Sequence, residues 1–138
     1  MIYHLAAPLL ALAVQTGVEM DPPIDCDTAE TQTELNICSV EAYFRADALL
    51  NEQWDRAADY AKDLDEQSAD YDGASDNFAR LLDAQRKWLA YRDAHCLAVN
   101  GPRTETSGTI WPLVQNRCME ELTLARAELL RRYAEQGR

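Results

Sequence analysis

Few residues of this chain have the type and spacing that chemistry requires. Among 138 residues there are two histidines, His4 and His95, and four cysteines, Cys26, Cys38, Cys96 and Cys118. His95 stands alone beside Cys96, and His4 lies in an apolar leader, so neither has a second imidazole with which to hold a metal. The serines have no base at a recognisable spacing. No glycine-rich phosphate loop is present. Carboxylates are abundant, but Asp63, Asp65, Glu66, Asp70, Asp72 and Asp76 crowd one segment, where a solvated turn is the simpler account than a catalytic pair. The cysteines are expected to be oxidised, which leaves no zinc ligand set. The reading is a protein that is not an enzyme, with no catalytic residue, metal or cofactor.

The informative stretch is Ala84 to Cys96, which has neither glycine nor proline and reads as helix throughout. Leu81, Leu82, Gln85, Trp88, Leu89, Arg92, Cys96 and Val99 recur at steps of three and four, so they share one face. That face is apolar except for Gln85 and Arg92. A buried guanidinium must be paired and a buried amide must be hydrogen-bonded. Arg92 either anchors a partner or pairs with an acid of the first helix, and its place on an apolar stripe favours the second. Trp88 and Tyr91 are read as core rather than as a binding platform.

Gln85-Arg86-x-Trp88-x-x-Tyr91-Arg92-Asp93-x-x-Cys96, followed by Cys118-Met-Glu-Glu-Leu122-Thr123-Leu-Ala-Arg126, resembles the LprI-type lysozyme-inhibitor family of small secreted bacterial helical proteins. Thr31-Gln-Thr-Glu-Leu-Asn-Ile-Cys38 and Ala46-Asp-Ala-Leu-Leu-Asn51 extend the resemblance, which runs from about Cys26 to about Leu130. It implies a helical, disulfide-stapled fold, a structural role for Gln85, Arg86, Trp88, Tyr91, Arg92, Asp93, Thr123 and Arg126, and inhibition of a lysozyme-like hydrolase by occlusion. Two other readings accompany it: a periplasmic structural or envelope-stress protein without lysozyme affinity, and an immunity protein for a secreted toxin.

Residues 1–13 read as a signal peptide. Leu5 to Val14 is too short an apolar run to span a bilayer, and Ala11-Leu12-Ala13 has the small residues of a cleavage site. The leader departs from the usual pattern in having no Lys or Arg. Pro23-Ile24-Asp25 before Cys26 is not a lipid-anchor signature, so the expected location is the periplasm or the medium, with no membrane anchor. Four cysteines allow three pairings. The most economical joins Cys26 to Cys38 and Cys96 to Cys118, since an antiparallel neighbour brings the last two together. The family resemblance implies the same second bridge. Each would contribute on the order of 3 kcal/mol, which matters for the modest core of so short a chain.

Residues 14–30 contain Pro22-Pro23 and read as an extended lead-in. The domain proper, 31–134, is expected to be all-α, a small three-helix antiparallel bundle. The first helix begins near Thr31 or Thr33 and runs to about Leu64, with Leu35, Cys38, Ala42, Ala46, Leu49, Gln53, Ala57, Ala61 and Leu64 inward. Ser75 or Asp76 caps the second, which Asn100-Gly101-Pro102 stops. Thr109 caps the third, which continues to about Tyr133 with Ile110, Leu113, Val114, Cys118, Leu122, Ala125, Leu129 and Tyr133 inward.

Two features read as surface. Ile37, Val40, Phe44 and Ala48 form a second apolar stripe on the first helix, which either meets a partner or lies under the Pro22-Pro23-Ile24 lead-in, with the second slightly favoured. The polar loop from Gly101 to Thr109, closed at its base by a bridge, either is preorganised to enter a cleft, with Glu105 the charge it would present, or only connects the helices, with the second favoured for any single residue. Charge is uneven: from Glu19 to Asp76 there are 17 acids and 3 bases, while the rest of the chain is slightly basic. Nucleic acid is a poor partner for such a chain. A cationic protein such as a lysozyme is a fitting one, although charge alone is accounted for by solubility.

Overall fold

A computed structural model describes residues 24–69 and 75–137. Residues 1–13, expected to be a signal peptide, and most of the lead-in, including Pro22 and Pro23, lie outside the described residues. Three helices account for nearly all of the described chain: α1 (Gln32–Ala69), α2 (Asn77–Asn100) and α3 (Trp111–Ala134), with a short 3₁₀ turn (Glu135–Gly137) after the last. Among the described residues there is no strand.

Cross-helix pairs give the directions. Asn36 meets Thr109, Ser39 meets Asn116 and Tyr60 meets Tyr133, so α1 and α3 run parallel at a nearly constant offset. Cys96 meets Cys118, Arg92 meets Thr123 and Gln85 meets Arg126, so α2 runs antiparallel to α3. The bundle is up, down, up. α1 packs far more extensively on α3 than α2 packs on either. Both disulfides form as the economical pairing has them: Cys26–Cys38, and Cys96–Cys118 across α2 and α3.

α1 starts at a reciprocal cap. Thr31 Oγ1 accepts from the Glu34 amide at 3.2 Å, and the Glu34 carboxylate accepts from the Thr31 and Glu30 amides at 2.9 and 3.1 Å. These bonds hold the Glu34 carboxyl below its ordinary range. The helix then runs five residues beyond the expected Leu64 end. Asp65 to Ala69 is acidic but has no glycine or proline, and acidity alone does not stop a helix.

Ser75 and Asp76 do not cap α2. Asp76 occupies the cap position without a side-chain bond. Asp65 of α1 reaches across instead, accepting from the Asn77 and Phe78 amides at 2.7 and 3.0 Å and from the side chains of Ser75 and Asn77. A carboxylate at a helix N-terminus satisfies orphan donors and complements the macrodipole. The Ser75 hydroxyl and the Phe78 amide are the chief reasons its carboxyl is lowered from 3.8 to about 2. A depressed folded-state value stabilises the fold above the ordinary carboxylate range, and that contribution is lost as pH falls from about 3.8 towards 2. Asp65→Asn should therefore melt earlier than the parent at pH 7, with most of the difference gone near pH 2. Parallel thermal melts at the two pH values check this.

The core departs from the expected stripes by about one residue in places. Ala46, Leu50, Ala57 and Ala61 are buried in α1, where Leu49 was expected rather than Leu50. In α3 the buried line is Leu113, Thr123, Ala127 and Leu130, whereas Ile110, Ala125 and Leu129 face solvent. Thr123, 0 % exposed, is the reason. A threonine in the inward register makes the apolar neighbours Leu122 and Leu129 look like the stripe. Leu89 and Val99 of α2 are exposed as well. Thr109 does not cap α3; Ile110 occupies the cap position, without a side-chain capping bond.

Candidate partner-binding surfaces

Arg92 lies inside the bundle, 6 % exposed, at the junction of all three helices. Its Nε and Nη2 both face Asp93 Oδ1 at 2.9 Å. Nη1 donates to Thr123 Oγ1 of α3 at 3.4 Å and stands 4.0 Å from Asp47 Oδ1 of α1. The guanidinium also lies over the rings of Tyr43, at 5.7 Å, and Trp88, at 5.3 Å. The expected acid of the first helix is thus only a distant partner, and the close one is Asp93 on the same helix. An i, i+1 carboxylate serves because the guanidinium bends back to its own helix while its faces stack on aromatics.

Gln85 and Arg126 form a second polar contact across α2 and α3, with Arg126 Nε donating to Gln85 Oε1 at 2.9 Å. The Arg126 guanidinium lies over the Trp88 ring as well, 6.0 Å from its centroid. Burial pulls its guanidinium below the ordinary arginine range. Trp88 therefore contacts two guanidinium groups and packs against the Leu50–Ala57–Ala127–Leu130 core. Of the other residues in that segment, Arg86, Tyr91 and Asp93 are exposed, and Tyr91 leans on His95 with ring centroids 5.4 Å apart.

The loop between α2 and α3 is tied down at many points. Gly101 and Gly108 have φ of 71° and 68°, a conformation that side-chain-bearing residues rarely adopt. Trp111 Nε1 donates to Gly101 O at 3.0 Å, and Arg103 stacks over the Trp111 ring at 5.9 Å. Inside the loop the Thr104 amide donates to Ser107 Oγ at 2.7 Å, and the Ser107 amide donates back to Thr104 O at 3.1 Å. Asn36 Nδ2 of α1 donates to Thr109 O at 2.9 Å. Asn36 is a residue whose role was invisible in the sequence, since an asparagine near the start of a long helix gives no sign of which distant carbonyl it serves. Glu105 sits at the exposed tip, where Arg103, Thr104, Glu105, Gly108 and Thr109 line an open depression of about 620 Å³.

The stripe on α1 is open. Phe44 is 62 % exposed and Ala48 is exposed; Ile37 is at the edge of exposure and Val40 is half-buried. The lead-in from Ile24 to Cys26 is pinned beside Cys38 by its disulfide and leaves Phe44 uncovered among the described residues. The stripe begins one residue beyond Asn36, so it and the loop occupy the same end of the bundle. Further along α1 the exposed acids are only partly neutralised by pairs such as Arg56–Glu52, at 2.6 Å, and Lys62–Asp59, at 3.5 Å. No group of His, Cys, Asp and Glu among the described residues is arranged to hold a metal. No described helix is long and apolar enough to cross a membrane.

Comparison with known proteins adds two findings. Residues 25–130 match the model of the family described as lysozyme inhibitor LprI. An uncharacterized protein of Rhizobium meliloti (strain 1021) is 33 % identical over 135 residues, covering 94 % of this chain and 95 % of that protein. No solved structure matches the chain.

Proposed function

Because the chain belongs to the lysozyme inhibitor LprI family, we propose that it is an exported protein-binding module that occludes a basic, lysozyme-like cell-wall hydrolase. The observation that carries this reading is the extent of the family match, which takes in all three helices and both disulfides rather than a single motif. Two disulfides fit an oxidising compartment, and residues 1–13 have the pattern of a leader that would deliver the chain there.

The surface features suit such a partner. The acids of α1 provide a field that draws in a cationic protein from a distance. The loop from Gly101 to Thr109 loses little conformational freedom on docking because the Cys96–Cys118 bridge, Trp111 and Asn36 already hold it. Glu105 at its tip, with Ile37, Val40 and Phe44 beside its base, would make the contact.

Steering and anchoring separate in kinetics. Association with a basic lysozyme should slow as salt rises, because exposed charges are screened. Neutralising several acids between Asp47 and Glu66 should slow association more than it speeds dissociation. Glu105→Gln should mainly raise dissociation, by about tenfold, or roughly 1.4 kcal/mol. Surface-based binding measurements across a salt series read both constants. A correctly oxidised sample that binds no lysozyme type at low salt would favour an envelope structural module or a toxin-immunity protein instead.

A further inference from the structure

A second feature extends this reading. Where α2 sits loosely on α1, a groove of about 260 Å³ opens between them, lined by Asp47, Leu50, Asn51, Trp54, Leu82, Gln85, Arg86 and Leu89. Two segments that carry the family resemblance, Ala46–Asn51 and Gln85–Trp88, meet along it. Its floor and walls are apolar: Leu50 is buried, Trp54 is half-buried and Leu89 is 37 % exposed. Its polar rim is Asp47 on α1 and Arg86 on α2. The volume accommodates one long side chain rather than a drug-sized ligand.

We propose that this groove takes an arginine side chain of the basic partner, its stem along the apolar wall of Leu50 and Leu89 and its guanidinium at the Asp47 carboxylate, with Trp54 two turns further along α1 at the other end of the groove. Several observations favour that occupant. Asp47 has its side chain 42 % exposed, and its contacts inside the protein are long: 4.0 Å to Arg92 Nη1 and 3.4 Å from Asn51 Nδ2. It therefore keeps accepting capacity for a charged donor at the rim. An arginine has both the apolar stem and the planar cation that an apolar trough with a carboxylate on its rim requires. The surrounding stretch of α1 is strongly acidic, which complements a cation and disfavours an acid. Asp47 is one turn from Phe44 on α1, so the groove adjoins the exposed stripe. It stands roughly 17 Å along the helix from Asn36 and the loop, within reach of one partner surface.

The choice of a lysozyme as the source of that arginine rests on the proposed function; the affinity of the groove for a guanidinium does not. The probe is N-acetyl-arginine methylamide, with N-acetyl-norleucine methylamide as the uncharged control, titrated into the oxidised full chain. The indole N–H resonance of Trp54 and the methyl resonances of Leu82 and Leu89 report binding. The arginine probe should give a saturable shift, with the control at least about threefold weaker. Asp47→Asn should weaken the arginine probe by about threefold, the scale of an exposed ion pair. Arg86→Gln removes the like charge on the opposite rim, leaves Asp47 and Arg92 untouched, and should strengthen binding by about twofold. If the groove binds the probe and no lysozyme binds the protein, the groove stands and the hydrolase reading falls. The absence of a saturable shift, equal affinity for the norleucine control, or an Arg86→Gln variant that binds more weakly than the parent would overturn the proposal.

Discussion

Trp88→Ala should lower the stability of the folded chain by about 3 kcal/mol, the low end of the range for truncating a core aromatic because the ring is only half-buried. The loss has two sources. The ring packs on the Leu50, Ala57, Ala127 and Leu130 cluster, and its removal leaves a void that those small side chains cannot collapse to fill. It also strips the aromatic partner from Arg92 and Arg126 at once, so two inward guanidinium groups lose favourable contacts. Denaturant unfolding at neutral pH measures it. Because α2 packs least extensively of the three helices, the same change should weaken hydrogen-exchange protection most along Asn77–Asn100.

Removing the Cys96–Cys118 bridge by paired alanine substitution should cost roughly 3 kcal/mol, as expected for releasing a closed loop of about twenty residues. Cys96 is fully buried and its bridge is the sole covalent tie between α2 and α3 apart from the connecting chain. The same bridge closes the base of the Gly101–Thr109 loop. Its loss should therefore also raise dissociation of a bound partner beyond what the lower stability explains, since a freed loop must be ordered on docking. The Cys26–Cys38 bridge closes a shorter span beside the lead-in, so its removal should cost less. Melting temperatures of the two double variants, taken alongside the parent, rank them.

The helices, their order and the cysteine pairs were legible because period-3.6 patterning and chain punctuation are local signals. Asn100-Gly101-Pro102 ends α2 where a left-handed glycine and a proline demand it, and Gly101 has the positive φ to match. Register was less legible. Thr123 belongs to the inward line because Arg92 donates to it, and a pattern built on apolar residues passes over a threonine in favour of Leu122 and Leu129. The long-range polar contacts were not legible at all. Asp65 looked like one more acid in an acidic turn, yet it caps a helix that begins twelve residues later. Arg92 was correctly placed on an inward face, but a neighbour in sequence, Asp93, took the role expected of an acid on α1. The α1–α2 groove escaped notice because it is the product of loose packing between helices, which no single stretch of sequence records.

The central claim is that this acidic, doubly bridged bundle inhibits a lysozyme, and the most direct test is lysis of purified peptidoglycan sacculi by basic lysozymes, followed by turbidity at low ionic strength. The oxidised protein, added in slight molar excess, should slow clearing in proportion to its concentration. Inhibition should fade as salt is raised and should be lost when both disulfides are reduced. Clearing at an unchanged rate by every lysozyme type, with protein verified to be folded and free of thiols, would contradict the account.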